Sequence, residues 1–356
     1  MAGNSGVDLA GYDMNLTASA ITDSPTFYPH KLDVAEDRLL LLRLSAADYR
    51  AASFLDDRKL EAHMGVGWVP FAPMAEAAKA IRARPLHFIF HTGHVGSTLL
   101  SRLLDEAPGI LGLREPLPLR TMADAQDELG RTSALWDAPA LDRRLNVLLR
   151  LWSRGFADTK AVIVKATSSA GRIAPRILAA SPASRAVYLH LAAEPYLATH
   201  LAGEDTANDL GRFAGERARR VAAQLGEELP PLARFSPGEA AALSFLAESL
   251  SRQKAQDFSG ARILVLDFEW MLAELENALR CVLAHFEIPV AAVVVSTIAA
   301  SPVLTRYSKA PEISYSLALR AAVLSEVREK AGDEIRKGLA WLDAMARRHP
   351  AVASIL

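Results

Sequence analysis

The chain has 356 residues, 51% of them hydrophobic, enough to bury one large core or a core plus a subdomain. Its 40 Lys and Arg against 41 Asp and Glu leave a formal net charge of −1, so no global field draws it to nucleic acid or an anionic membrane. The single cysteine, Cys281, excludes an internal disulfide, and its apolar helical surroundings predict a core position.

The first thirty residues hold no apolar run behind a basic start, so no signal peptide is expected. Residues 1–24 are small and polar, and loosely ordered on this reading. Between Tyr28 and Arg84, Arg38–Leu44 is a compact apolar run, Ser45-Ala-Ala-Asp-Tyr49 reads as a helix start, and Gly67-Trp-Val-Pro-Phe71 reads as extended. Residues 1–84 are therefore expected to form an N-terminal extension or subdomain packed on the core. From residue 85 onward, short β-branched strands alternate with helical segments, the pattern of an α/β fold with a parallel sheet. Residues 132–156 and 208–256 read as helical, the second as an insertion above the sheet. The stretch near Ile288 to Ala300 is interrupted by Pro289, Ser296 and Thr297 and is too short to span a bilayer. Residues 311–348 carry helical periodicity at Leu317, Leu319, Val323, Val327, Ile335, Leu339 and Leu342. The expected division is an N-terminal unit (1–84), an α/β core (85–310) and closing helices (311–356).

The most informative segment is 86–104. Phe88, Ile89 and Phe90 lead into a loop, Thr92-Gly93-His94-Val95-Gly96, and Ser97 and Thr98 then open a helix with Leu99, Leu100, Leu103 and Leu104 on its apolar face. In a strand–loop–helix of this kind, backbone N–H groups and the helix N-terminus converge on an anion. Glycine lets the backbone approach a phosphate closely, and the two hydroxyls can donate to it. No lysine follows Gly96, so the loop is not a Walker loop. Only Gly93 and Gly96 are present of the three glycines of a dinucleotide fingerprint, and Gly65-Val66-Gly67 has no strand before it. No Gly-x-Ser-x-Gly elbow occurs.

Several elements follow in order: Leu113-Arg-Glu-Pro116, Ala161-Val-Ile-Val-Lys165, Arg185–Leu191 with Glu194-Pro195, and Arg262–Glu269 with Ile288-Pro289. With the Gly93–Thr98 loop they resemble sulfotransferases, whose 5′-phosphosulfate loop runs from an apolar strand into a Leu-rich helix. Gly96, Ser97 and Thr98 match that loop directly, and His94 falls where the family has its cation. The resemblance covers residues 85–310 and implies a three-layer, P-loop-like fold. It further implies that 3′-phosphoadenosine 5′-phosphosulfate (PAPS) is the donor, with no metal, and that a hydroxyl or amine of a small molecule is the acceptor. On this reading Gly93, His94, Val95, Gly96, Ser97 and Thr98 cradle the donor, His94 and Lys165 neutralise charge, and Glu115 is the acceptor's base. One departure stands out. The family's 3′-phosphate arginine aligns with Ala193 and its serine with Leu201, although Thr199 and His200 stand close by. Arg306-Tyr-Ser-Lys309 follows the late helix where the family closes a loop over the nucleotide, so His200, Arg306 and Lys309 are candidates to compensate.

Blander readings stand beside these. Glu115 can be a solvated loop carboxylate and Lys165 a surface lysine at a strand end. His87 and His91 share a strand face but have no carboxylate or cysteine at ligand spacing, so His91 reads as a pocket-lining residue. Arg212, Arg217, Arg219 and Arg220 read as a solvated face. Arg336-Lys337-Gly338 sits inside a helical pattern and reads as a chance match. The competing functions are a non-catalytic relative binding a nucleotide or phosphorylated ligand, and a phosphotransferase using Asp267 for magnesium. A cytoplasmic protein, without nucleic-acid partners or membrane insertion, is the expectation.

Overall fold

The computed structural model describes residues 21–22, 24–59 and 64–356. The expectation for residues 1–24 therefore falls largely outside the described residues, but Ile21 is buried and Arg154 donates to the carbonyls of Ile21, Ser24 and Phe27.

The N-terminal unit is an antiparallel sheet in the order β1 (Phe27–Asp33), β2 (Arg38–Arg43), β3 (Gly65–Pro70). The apolar run at Leu39–Leu42 is buried, which explains why a stretch without alternation still forms a strand. Helix α1 (Ala46–Ala51) starts where the sequence indicates, with Ser45 and Asp48 forming a reciprocal capping box. Extended structure ends at Pro70, and Phe71 already belongs to α2 (Phe71–Lys79).

The main sheet is five-stranded and parallel, in the order β5 (Ile110–Arg114), β6 (Ala161–Lys165), β4 (Leu86–His91), β7 (Ala186–His190), β8 (Ile263–Asp267). Its crossovers are α3 (Ser97–Asp105), α4 (Leu117–Glu128) and α5 (Ala138–Trp152), then α6 (Ala174–Ala180), α7 (Ala193–His200), α8 (Glu204–Leu225) and α9 (Pro237–Ser259). Helices α10 (Phe268–Ala273), α11 (Leu275–His285) and α12 (Ala292–Ala299) follow the last strand. A short hairpin, β9 (Arg306–Tyr307) and β10 (Ala310–Ser314), leads to α13 (Leu317–Lys330), α14 (Gly332–Arg348) and α15 (Pro350–Ala353). From β4 the chain runs first to the β5 edge and later to the β8 edge. A crevice therefore opens at the carboxyl end of β4, where ligands bind in open α/β sheets.

Strand alternation divides the interior into two cores. Phe88 and Phe90 join Leu39, Leu41 and Met74 of the N-terminal unit on one face, with Tyr188. Ile89, Val187 and Leu189 join Leu99, Leu103, Leu246, Leu279 and Leu342 on the other. The result is three layers around one sheet.

Four expectations need correction. Cys281 is exposed, because α11 buries Ala278, Leu279, Val282 and Leu283 and turns residue 281 away from that stripe. Residues 310–314 form a strand, so the closing helices begin at Leu317. Leu317, Leu319 and Val323 do not close the core but stay exposed, whereas Leu324 and Val327 are buried. Arg217 and Arg220 are not on a solvated face. They point inward from α8, paired with Asp209, Glu216 and Glu248. No helix among the described residues is long and apolar enough to cross a membrane.

One buried ion pair locks the layers together. Arg114, 1% exposed, binds Asp105 at the end of α3 at 2.7 Å and donates to the carbonyls of Tyr49 and Ala52 at 2.9 Å each. The same Asp105 accepts from the Gly112 amide at 2.8 Å. Removing one partner of such a pair strands the other charge. Asp105→Ala is expected to lower unfolding free energy by about 3–5 kcal/mol, measured by chemical denaturation.

Candidate active site

The carboxyl ends of the strands bring the candidate residues together. The loop from β4 to α3 has left-handed backbone at Gly93 (φ 99°), His94 (φ 51°) and Gly96 (φ 69°). At Gly96 a side chain is excluded twice over, since a Cβ there would come within 2.0 Å of the Phe268 ring. His91 fixes the start of the loop: its Nε2 faces the Ala166 carbonyl at 3.0 Å, and its Nδ1 accepts the Gly93 N–H at 3.1 Å. These two bonds define one neutral tautomer. Burial, together with Lys165 and Lys309, holds the ring's pKa well below that of free histidine. Among the described residues, no acceptor engages the backbone N–H groups of His94 to Thr98, and the buried Thr98 hydroxyl has no hydrogen-bond partner. These groups face a cavity of about 440 Å³ at the N-terminus of α3.

Lys165, Glu115, Arg306 and Lys309 line the same cavity. Lys165 ends β6 and is only 1% exposed; it pairs with Glu115, which is 14% exposed. Glu115 also has left-handed backbone (φ 57°), held by its N–H to the Lys165 carbonyl at 2.7 Å. Burial alone would raise the Glu115 pKa, but Lys165, Lys309 and Arg58 together draw it below the usual carboxylate value. Burial lowers the Lys165 pKa, and Glu115 opposes that shift. Lys309, in the hairpin turn, brings Nζ to 3.4 Å from His94 Nδ1. Burial and then Lys165 push its pKa down to about 8.

His94 is where the expectation of a cation fails. Burial, followed by Lys309 and His200, lowers its pKa to about 2, so the imidazole is neutral and accepts from Lys309. The positive charge at this corner of the loop belongs to Lys309. His200 meets His94 edge-on and stacks on Tyr196, with ring centroids 5.0 and 3.9 Å apart. Its Nδ1 faces the Tyr196 carbonyl at 3.0 Å, and its buried Nε2 has no partner among the described residues.

Arg328 of α13 binds Glu194 through two bonds of 2.8 and 2.9 Å, beside Ala193. Arg306 is exposed and lines the cavity, with no ion pair among the described residues. Asp267 caps α10 by accepting the Trp270 N–H at 2.9 Å, a structural duty. Among the described residues, no group of three His, Cys, Asp or Glu side chains is arranged to hold a metal.

Sequence reasoning missed the outer wall. Phe268, Tyr307, Ile313, Tyr315, Leu319 and Val323 give the cavity an apolar, aromatic side. Arg320, also on this wall, pairs with Glu269 and lies 5.1 Å over the Phe268 ring. The available signal was an apolar periodicity in α13 broader than one buried stripe requires.

No family model and no curated protein matches the chain. Among solved structures, it is similar to a sulfotransferase from Alicyclobacillus acidocaldarius, with 16% identity, 75% of this chain and 97% of that one covered, and a TM-score of 0.38. It is also similar to sulfotransferase STF9 from Mycobacterium avium, with 12% identity, coverage of 72% and 79%, and a TM-score of 0.40. For mouse sulfotransferase SULT7A1 complexed with PAP the values are 13%, 64% and 68%, and 0.33.

The loop geometry makes a direct prediction. Thr98→Ala should weaken anion binding by about 1–2 kcal/mol, the loss of one hydrogen bond to a charged group, measured by calorimetric titration. An unchanged affinity would remove the hydroxyl from the cradle.

Proposed function

We propose that the protein transfers a sulfuryl group from PAPS to a hydroxyl or amine of a small molecule. The observation that carries this reading is the single cavity joining the unpaired N–H groups of residues 94–98 to Lys309, Lys165 and Glu115. In-line transfer needs a donor cradle, positive charge at the leaving phosphate and a base at the acceptor. The loop and the N-terminus of α3 would hold the 5′-phosphosulfate. Lys309 and Lys165 would stabilise charge on the bridging oxygen as the S–O bond breaks. Glu115 would take the acceptor's proton as the new bond to sulfur forms, releasing adenosine 3′,5′-bisphosphate.

The Lys165–Glu115 pair suggests how the base is released. Bound to Lys165, the carboxylate is a weak base; a donor anion competing for Lys165 frees it and raises its basicity. Arg306, exposed on the cavity wall, is the cation available to a 3′-phosphate.

The test has two arms. Adenosine 3′,5′-bisphosphate should bind more tightly than adenosine 5′-phosphate, and Glu115→Gln should abolish turnover while donor affinity stays equal or rises, because Lys165 loses its internal partner. Equal binding of the two nucleotides, with no turnover by the wild-type protein, would favour a non-catalytic binder of phosphorylated ligands.

Affinity should also depend on pH in a defined direction. Lys309 attracts the anion only when protonated, and its pKa in the free protein is about 8. A bound anion raises that value. Affinity should therefore fall above about pH 8, by at most about tenfold per unit, until the pKa of the complex is reached. Lys309→Met should flatten the profile; an unaltered profile would exclude Lys309 as the titrating group.

A further inference from the structure

We infer that Arg102 is the positioning residue for Lys309, bracing the hairpin turn against the helix that carries the anion loop. This inference rests on the functional reading above. Arg102 lies on α3, part-buried, on the helix whose N-terminus forms the cradle. Its Nε donates to the Ser308 carbonyl at 2.8 Å, and Nη2 donates to the Ser53 hydroxyl at 2.7 Å. Ser308 is the residue before Lys309 in the turn between β9 and β10, and Ser53 is a buried residue of the N-terminal unit. One guanidinium therefore joins the cradle helix, the N-terminal unit and the peptide adjoining the cation that reaches His94.

The hairpin needs such a brace. Its strands pair at Ala310–Tyr307 and Ser314–Arg306 with an irregular register between, and an isolated two-stranded hairpin is at best marginally stable. Besides Lys309 Nζ to His94 Nδ1 at the tip, its ties include the Tyr315 N–H to the Thr305 carbonyl at 2.9 Å and Ser301 to Glu106 at 2.6 Å, both at its base. Arg102 holds the tip. The planar fork suits two acceptors at once, a geometry that a lysine ammonium on a flexible stem does not reproduce.

The test combines amide exchange with titration on the full-length chain. In Arg102→Ala, exchange in the turn around residues 308–310 should accelerate about tenfold while α3 stays protected, the signature of a local opening. Affinity for adenosine 3′,5′-bisphosphate should fall about as far as in Lys309→Ala, about tenfold for a lost charge-assisted contact. The double variant should bind no more weakly than Lys309→Ala alone. Arg102→Lys, which keeps the charge, should give smaller losses of both kinds and decides the matter if the alanine variant does not fold. Unchanged exchange in the turn, or losses that multiply in the double variant, would overturn the inference. If the wild-type protein does not bind the nucleotide at all, the functional reading fails, and the exchange result alone decides whether Arg102 braces the turn.

Discussion

The carboxyl edge of the sheet depends on the burial of Arg114. A guanidinium removed from water seeks acceptors inside the protein, and here the two Nη groups donate to Asp105 and to backbone carbonyls around the end of α1, while Nε has no partner among the described residues. Those bonds fix the end of β5 relative to α3, and the Leu55 N–H to the Arg114 carbonyl at 2.7 Å ties the N-terminal unit to the same point. Glu115, the next residue, then has little freedom. Its left-handed backbone is imposed by neighbours on both sides, and its carboxylate is directed to Lys165.

The edge concentrates charge in a place that water only partly reaches. Lys165 and Glu115 compensate each other, His91 and His94 are kept neutral, and Lys309 sits close to Lys165 with a depressed pKa. Such a cluster costs free energy in the free protein, and an anion at the helix N-terminus is the kind of partner that would relieve it. Of the four non-glycine residues with positive φ among the described residues, His94 and Glu115 line this cavity. Strain and like charge thus coincide at one end of the sheet.

Much of this was legible in the sequence because it is local. The loop 93–98, the strand ending at Lys165 and the helix start at Ser45 are each written in contiguous residues. Fold class followed from the alternation of strands and helices. What escaped is set by contacts between distant segments. Lys309 was a candidate by position, yet its displacement of His94 as the local cation depends on the burial of His94, which no spacing rule encodes. Arg217 and Arg220 looked solvated because their buried partner Glu248 lies on another helix. The exposed leucine and valine of α13 fitted a core pattern until the cavity wall showed where they face. Cys281 shows the converse error, an apolar neighbourhood in sequence that is a solvent face in three dimensions.

The distance along the chain between His94 and Lys309 has a consequence for biosynthesis. All five strands of the main sheet are complete once Asp267 has been made, so the framework can assemble while the remaining segments are still being translated. The cation at the loop arrives only with the hairpin. A nascent chain halted between α12 and β9 would thus possess the backbone cradle without the charge beside it. The set of charges around the loop is therefore completed only once residue 309, well beyond the last strand of the main sheet, has been made.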